Sequence, residues 1–261
     1  MFEYPSHLYG ESFFTSFRSL NGRIYYLNSH IDRVLSDVNL YYFNNRFSLT
    51  YLNNYFDIRN NVERLLIKKP NNYFRLTFFA DKRDGLLPGK IGLCDLNFKI
   101  NVGELSEKNR MVSLKLVPSP FTSNYIPFKA GSYLQQLNSK QNAQSIGYSD
   151  VIFERNNIIL ESSTSNIIFI KEKDIYVPDG RSIFPGITEK MIKEFTSSSE
   201  YSFIKKEISK KELQGFTSAA MINSVSFLTP IEKINNYLYN TNEIIKLKKM
   251  FFKYFEESHE F

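Results

Sequence analysis

The chain has 261 residues, 42% of them hydrophobic and 23% charged, with 11 Gly and 9 Pro; such a chain can bury a real core, and disorder, collagen and low-complexity scaffolds are excluded. Its 33 Lys and Arg exceed 27 Asp and Glu by 6 but form no run, so the excess reads as a solvated surface and not as a nucleic-acid groove. A single cysteine, Cys94, excludes an internal disulfide and a cysteine-built zinc site.

The opening MFEYPSHLYG has no basic segment leading into an apolar core, and no apolar run approaches the ~18 residues of a membrane span, so a cytoplasmic location without membrane contact is expected. Ser12 to Ser19 and Arg23 to Leu27 read as a hairpin closed by Asn21-Gly22. A helix follows, with Ser29 and Asp32 as a capping box and Ile31, Leu35 and Val38 on one face. A second helix runs from about Ser48 to Lys69 and stops at Pro70. Tyr73 to Ala80, Gly89 to Ile100 and Met111 to Val117 carry the β-branched and aromatic residues of strands.

Pro118 to Pro127 is rich in proline and aperiodic, which marks a connection. Tyr133 to Ile146 reads as a helix, Asp150 to Val177 as several short strands, the stretch after Pro185-Gly186 as a helix, and Tyr201 to Ile208 as a strand. The last helix is capped by Asn240 and Glu243 and should bury Ile244, Leu247, Phe251 and Tyr254. The expected organisation is an N-terminal α/β domain over 1–118, a loop over 119–127 and a C-terminal α/β domain over 128–261.

Four places carry chemistry. Pro185-Gly186 leads straight into a helix, so the N–H groups of Ile187 and Thr188 face outward where the dipole favours an anion; any glycine entry to a helix does the same. Arg33, read as lying in the first turn of its helix where the dipole disfavours a cation, needs an anion beside it, either Asp32 or Asp37 in an ion pair or a bound group. In ESSTSNIIFI, Glu161 heads a polar cluster that a plain turn would explain, although the IIFI behind it is too apolar for an exposed loop. Lys129 in PFKAGSYL is either a surface lysine or a partly desolvated amine. The three histidines show no metal or triad spacing, so no metal is expected, and His30 reads as a brace for its helix.

Taken in order, YGESFFTSFRSLNGRIYYLNSHIDRVL, KAGSYL, ESSTSNIIFI and FPGIT resemble the class IV, fold-type IV, pyridoxal-phosphate aminotransferases. The resemblance covers about Tyr9 to Ile231. It implies an α+β, two-domain fold of the D-amino-acid aminotransferase type with pyridoxal 5'-phosphate between the domains, and a homodimer. It further implies that Lys129 is the residue joined to the cofactor, that Tyr133 bonds its phenolic oxygen and that Glu161 pairs with its ring nitrogen. Arg33, Ile187, Thr188 and Ser224 would hold its phosphate, and Thr15, Arg83 and Asn223 would meet the small-molecule substrate.

Two positions depart from the family pattern: the lysine-to-tyrosine spacing is four, where some members have five, and Ser162 stands where glycine is frequent. Phe14-Thr15-Ser16 resembles the Phe-Thr-Thr of aminodeoxychorismate lyases, where many transaminases have Phe-Glu, and Asn223-Ser224 resembles their Asn-Ala. The activity so implied is 4-amino-4-deoxychorismate lyase, which forms 4-aminobenzoate and pyruvate for folate synthesis. A D-amino-acid or branched-chain aminotransferase is the alternative.

Overall fold

A computed structural model of the protein describes residues 10–80, 91–105, 111–121 and 128–257. They form two compact units, one from the described residues between 10 and 105 together with 128–133, the other from 111–121 and 134–257. The division differs from the expected one in two places. Residues 112–118 join the second unit because their strand lies inside its sheet, and 128–133 join the first because they lie along its first strand.

In the first unit, β1 (Ser12–Arg18), β2 (Asn72–Ala80) and β3 (Leu96–Glu104) form an antiparallel sheet in that order. The expected hairpin over 12–27 is half formed. Asn21 and Gly22 have the positive φ of a tight turn, 51° and 75°, but Arg23 makes only a bridge to Leu20. Tyr26, also left-handed at φ 57°, then turns the chain directly into helix α1 (Leu27–Phe43), so β1 pairs with β2 and not with 23–27. Ser29 lies inside α1 and cannot cap it.

The helix expected over 48–69 is two, α2 (Leu49–Phe56) and α3 (Ile58–Lys68), separated where Asp57 adopts φ 50°. Ser48 caps α2 by accepting from the Tyr51 N–H at 3.1 Å. The helices bury Ile31, Val34, Leu35, Leu52 and Ile58 against Phe17, Phe74 and Phe78 of the sheet. Each such side chain contributes ~1.5–3 kcal/mol by leaving water.

The second unit contains β4 (Val112–Pro118), β5 (Asp150–Arg155), β6 (Ile158–Ser162), β7 (Asn166–Lys171), β8 (Asp174–Pro178), β9 (Ser202–Lys206), β10 (Ser218–Asn223) and β11 (Phe227–Ile234). They hydrogen-bond in the order β6-β5-β4-β11-β10-β7-β8-β9, with a short β12 (Tyr237–Leu238) on β11. Strand β7 is buried on both faces from Asn166 to Ile170, which explains why NIIFI is apolar without alternation.

Helices α4 (Leu134–Ser145), α5 (Ile187–Ser197) and α6 (Thr241–Glu257) belong to this unit. Lys140 of α4 pairs at 2.9 Å with the buried Asp150 at the start of β5. Along α6 the buried residues are Ile244, Leu247, Phe251 and Phe255; Tyr254, expected inside, is half-buried because Phe255 continues the four-residue spacing from Phe251. Among the described residues no helix is long and apolar enough to cross a membrane.

Candidate active site

The first unit builds its part of the site on β1, α1 and the segment 128–133. Alternation along β1 sends Phe13, Thr15 and Phe17 toward the helices and Phe14 to the other face. On α1, His30, Arg33 and Asp37 are three and four residues apart, so they form one stripe beside β1. Arg33 lies in the second turn of α1 and not, as expected, in the first, because the left-handed Tyr26 starts the helix at Leu27.

Thr15 joins strand to stripe. Arg33 Nη2 donates to Thr15 Oγ1 at 2.7 Å, and Thr15 Oγ1 lies 2.8 Å from His30 Nδ1. Thr15 is 0% exposed and His30 1%. Burial, then the positive charges of Arg33 and Lys129, hold the His30 imidazole well below its usual 6.5. Burial also pulls the Arg33 guanidinium down to about 10, against the opposing effects of Asp37 and Tyr133, so it stays a cation at neutral pH. Burial pushes the Asp37 carboxyl up, opposed by the Lys129 N–H and the charges of Arg33 and Lys129.

Lys129 is held by its backbone. Its N–H donates to Asp37 Oδ2 at 3.2 Å, and its carbonyl accepts from the Phe14 N–H at 2.8 Å. Gly131 N–H donates to the Ser12 carbonyl at 2.7 Å, so 129–131 runs along β1. A Cβ at Gly131 would meet Ser12 Oγ and force that hydroxyl to move, so the segment lies close against β1.

The Phe14 ring gathers three side chains. Lys129 Nζ is 5.3 Å from its centroid, the Arg75 guanidinium of β2 is 3.5 Å from it, and the Tyr133 ring is 5.5 Å away. Lys129 and Tyr133 therefore share one aromatic neighbour, and Arg75 is a further cation there, one that no local sequence signal marks. Arg83, the arginine expected to meet the substrate, lies outside the described residues.

The second unit builds its part at the ends of β6, β7 and β10 and the start of α5. Glu161, one residue before the end of β6, accepts from the Phe184 N–H through Oε2 at 3.1 Å. The following turn closes on itself, with Ser162 Oγ donating to the Ser165 carbonyl at 2.9 Å and accepting from the Ser165 N–H at 3.0 Å. Ser163 is 3% exposed, and its hydroxyl has no hydrogen-bond partner among the described residues.

Asn166 donates to the Phe184 carbonyl at 2.8 Å and presses its Oδ1 into the space where a Cβ of Gly186 would sit. Gly186 is the N-cap of α5 and offers no side-chain bond, so the first N–H groups of the helix, those of Ile187 and Thr188, have no side-chain cap. Thr188 Oγ1 lies 3.2 Å from Ser224 Oγ. Two hydroxyls beside an uncapped helix start form a donor set suited to a phosphate, and this cradle, with glycine at its rim, fits the phosphate of the implied cofactor.

Asn223 is engaged within the second unit. Its Nδ2 donates to Ser165 Oγ at 2.9 Å, while its Oδ1 accepts from the N–H groups of Val225 and Ser226, each at 2.9 Å. The side chain thus closes the β10–β11 turn and ties it to the turn after Glu161. Among the expected residues, then, Thr15, Arg33, Lys129 and Tyr133 cluster in the first unit, and Glu161, Ile187, Thr188, Asn223 and Ser224 belong to the second. His30, Asp37, Arg75, Ser165 and Asn166 support them. Of these, only the 30/33/37 spacing was a readable signal.

The sequence profile described as Amino-transferase class IV matches residues 12–234. A branched-chain-amino-acid aminotransferase, assigned as such in Rickettsia felis, is 25% identical over 107 residues, which is 41% of this chain and 37% of the relative's length. A crystal structure from Legionella pneumophila, of a protein assigned as a 4-amino-4-deoxychorismate lyase, superposes with a TM-score of 0.80 at 17% identity over 97% of this chain and 93% of that one. The PLP-bound form of a hypothetical aminotransferase from Mycobacterium tuberculosis superposes with a TM-score of 0.79 at 14% identity over 95% and 89%. At these identities the structural matches establish a shared fold.

Proposed function

The chain belongs to the class IV aminotransferases, a family of pyridoxal-phosphate enzymes, and on that premise we propose that it is a 4-amino-4-deoxychorismate lyase, releasing 4-aminobenzoate and pyruvate. The observation that carries this reading is Thr15, whose hydroxyl is engaged by Arg33 and His30 at the hairpin position where many transaminases carry glutamate. A neutral side chain at that position adds no negative charge beside Arg33, while Lys129 and Arg75 both lie against the Phe14 ring, and these cations suit a substrate bearing carboxylates as well as a cofactor bearing phosphate.

Bound at this site, pyridoxal phosphate supplies an electron sink for the carbon that bears the substrate amine. The chain's own groups divide the remaining work. Lys129 captures the cofactor and moves the proton at that carbon. Glu161 holds a proton at the ring nitrogen, and Tyr133 bonds the phenolic oxygen. Arg33 of the first unit and, in the second, the N–H groups of Ile187 and Thr188 and the hydroxyls of Thr188 and Ser224 would hold the phosphate. Arg75, stacked on the ring that also faces Lys129, receives a substrate carboxylate. The same reading includes a cytoplasmic homodimer.

The R. felis relative supports the second reading, a branched-chain or D-amino-acid aminotransferase. Incubating the purified protein with aminodeoxychorismate and no 2-oxo acid separates the two. A lyase needs no amino-group acceptor and gives many turnovers, with pyruvate and 4-aminobenzoate in equal amounts. Absence of 4-aminobenzoate, with rapid amino transfer from leucine or D-alanine to a 2-oxo acid, favours the transaminase.

A further inference from the structure

One buried pair in the first unit has no part in the chemistry assigned above. Thr15 lies on β1, fixed opposite Leu76 in the β1–β2 ladder, and His30 packs its ring 5.0 Å from that of Phe17. Both are held on rigid elements, and between them they define the direction of one hydroxyl. Arg33 has only donors, so the hydrogen of Thr15 must go elsewhere. Among the described residues His30 Nδ1 lies within reach, 2.8 Å away. That arrangement leaves the lone pairs of Thr15 Oγ1 for Arg33 Nη2, at 2.7 Å. With Nδ1 as the acceptor, the proton of the neutral imidazole is on Nε2.

We propose that Thr15 and His30 are positioning residues for Arg33: His30 orients the Thr15 hydroxyl, and the hydroxyl holds the guanidinium in the geometry that receives the cofactor phosphate. The proposal rests on the reading of Arg33 as a phosphate ligand, and it replaces direct substrate contact as the role of Thr15. A guanidinium on a long stem has many rotamers to lose, and an acceptor that restrains it beforehand lowers the cost of meeting a phosphate. A neutral acceptor restrains without cancelling the charge, as a carboxylate at the same place would. The neutral state that burial imposes on His30 agrees with this arrangement, since an imidazolium would offer a second donor where an acceptor is needed.

The test is a spectroscopic titration of cofactor-free protein with pyridoxal phosphate, using wild type, Thr15→Val, Thr15→Ser, Arg33→Ala and the double variant Thr15→Val/Arg33→Ala. Thr15→Val keeps the β-branched shape that the strand requires, and chemical denaturation of the cofactor-free proteins verifies that each is folded. We expect Thr15→Val to bind about tenfold more weakly, Thr15→Ser within about twofold of wild type, and the double variant no more weakly than Arg33→Ala alone, because Thr15 acts through Arg33. His30 gives an independent arm: His30→Asn, whose carbonyl can stand in for Nδ1, should retain affinity that His30→Gln loses. Wild-type affinity in Thr15→Val beside weakened binding in Arg33→Ala overturns the positioning role and leaves the phosphate reading intact. Full additivity in the double variant also overturns it. Unchanged affinity in Arg33→Ala overturns both.

Discussion

Single residues in this protein have their chemistry set by burial and a few neighbours. His30 is an example with a measurable consequence. Its folded pKa lies below the unfolded 6.5, so the unfolded chain binds the proton more readily. Its contribution to stability is therefore complete above pH 6.5 and is lost as pH falls below that value, with a slope of at most ~1.4 kcal/mol per pH unit. Asp37, whose carboxyl is raised, acts in the opposite sense above 3.8. Denaturant unfolding of the cofactor-free protein should thus show a decline below pH 6.5 that His30→Asn flattens; an identical profile in the variant would place His30 outside the linkage.

Glu161→Gln is a second test at this scale. The amide keeps an oxygen for the Phe184 N–H, so the fold should persist. It cannot hold a proton on the ring nitrogen as a carboxylate does, so turnover should fall by several orders of magnitude while cofactor still binds. Wild-type turnover in a cofactor-loaded variant would reduce Glu161 to a strand-end residue.

At the scale of elements, the site depends on where strands stop and helices start. Asn166, the first residue of β7, holds Phe184 and thereby sets the approach to α5. Gly186→Ala should force Asn166 away from that bond, because Asn166 Oδ1 fills the space a Cβ would need and the side chain is 8% exposed. We expect a loss of ~1–3 kcal/mol in unfolding free energy and weaker binding of pyridoxal phosphate, read by denaturation and by titration. Unaltered affinity would mean that the start of α5 does not form the phosphate cradle. The core tests the sheet itself. Phe169, fully buried on β7 and stacked 4.8 Å from Phe216, should cost ~3–5 kcal/mol as Phe169→Ala, measured by the same denaturation.

At the scale of the whole molecule, the question is reaction type. If Thr15 marks a lyase, amino transfer from leucine or D-alanine should be slow beside aminodeoxychorismate turnover under the same conditions, and adding a 2-oxo acid should not accelerate the release of 4-aminobenzoate. A strict requirement for the acceptor would assign the protein to the transaminases and leave the cofactor residues as described. Borohydride reduction and peptide mapping should find the cofactor on Lys129; a label on Lys140 or Lys190 would overturn that assignment.

Much of this architecture is local and therefore legible in the sequence. The turn at Asn21-Gly22, the apolar stripe of α1, the cap at Ser48 and the glycine entry to α5 each follow from the conformational preferences of a few adjacent residues. The order of the family motifs, read along the chain, was enough to identify the family and with it the cofactor. What the sequence could not reveal depends on partners distant in the chain. Strand β1 pairs with residues some sixty positions on and not with its own hairpin, because the left-handed Tyr26 starts a helix. β4 joins the second unit through parallel pairing with β5 and β11, which no period-2 pattern announces. The environments of Thr15, Asn223 and Arg75 were hidden for the same reason: a hydroxyl, an amide or a guanidinium has no role until tertiary packing supplies its partner, and here those partners are His30 and Arg33, Ser165, and the face of Phe14.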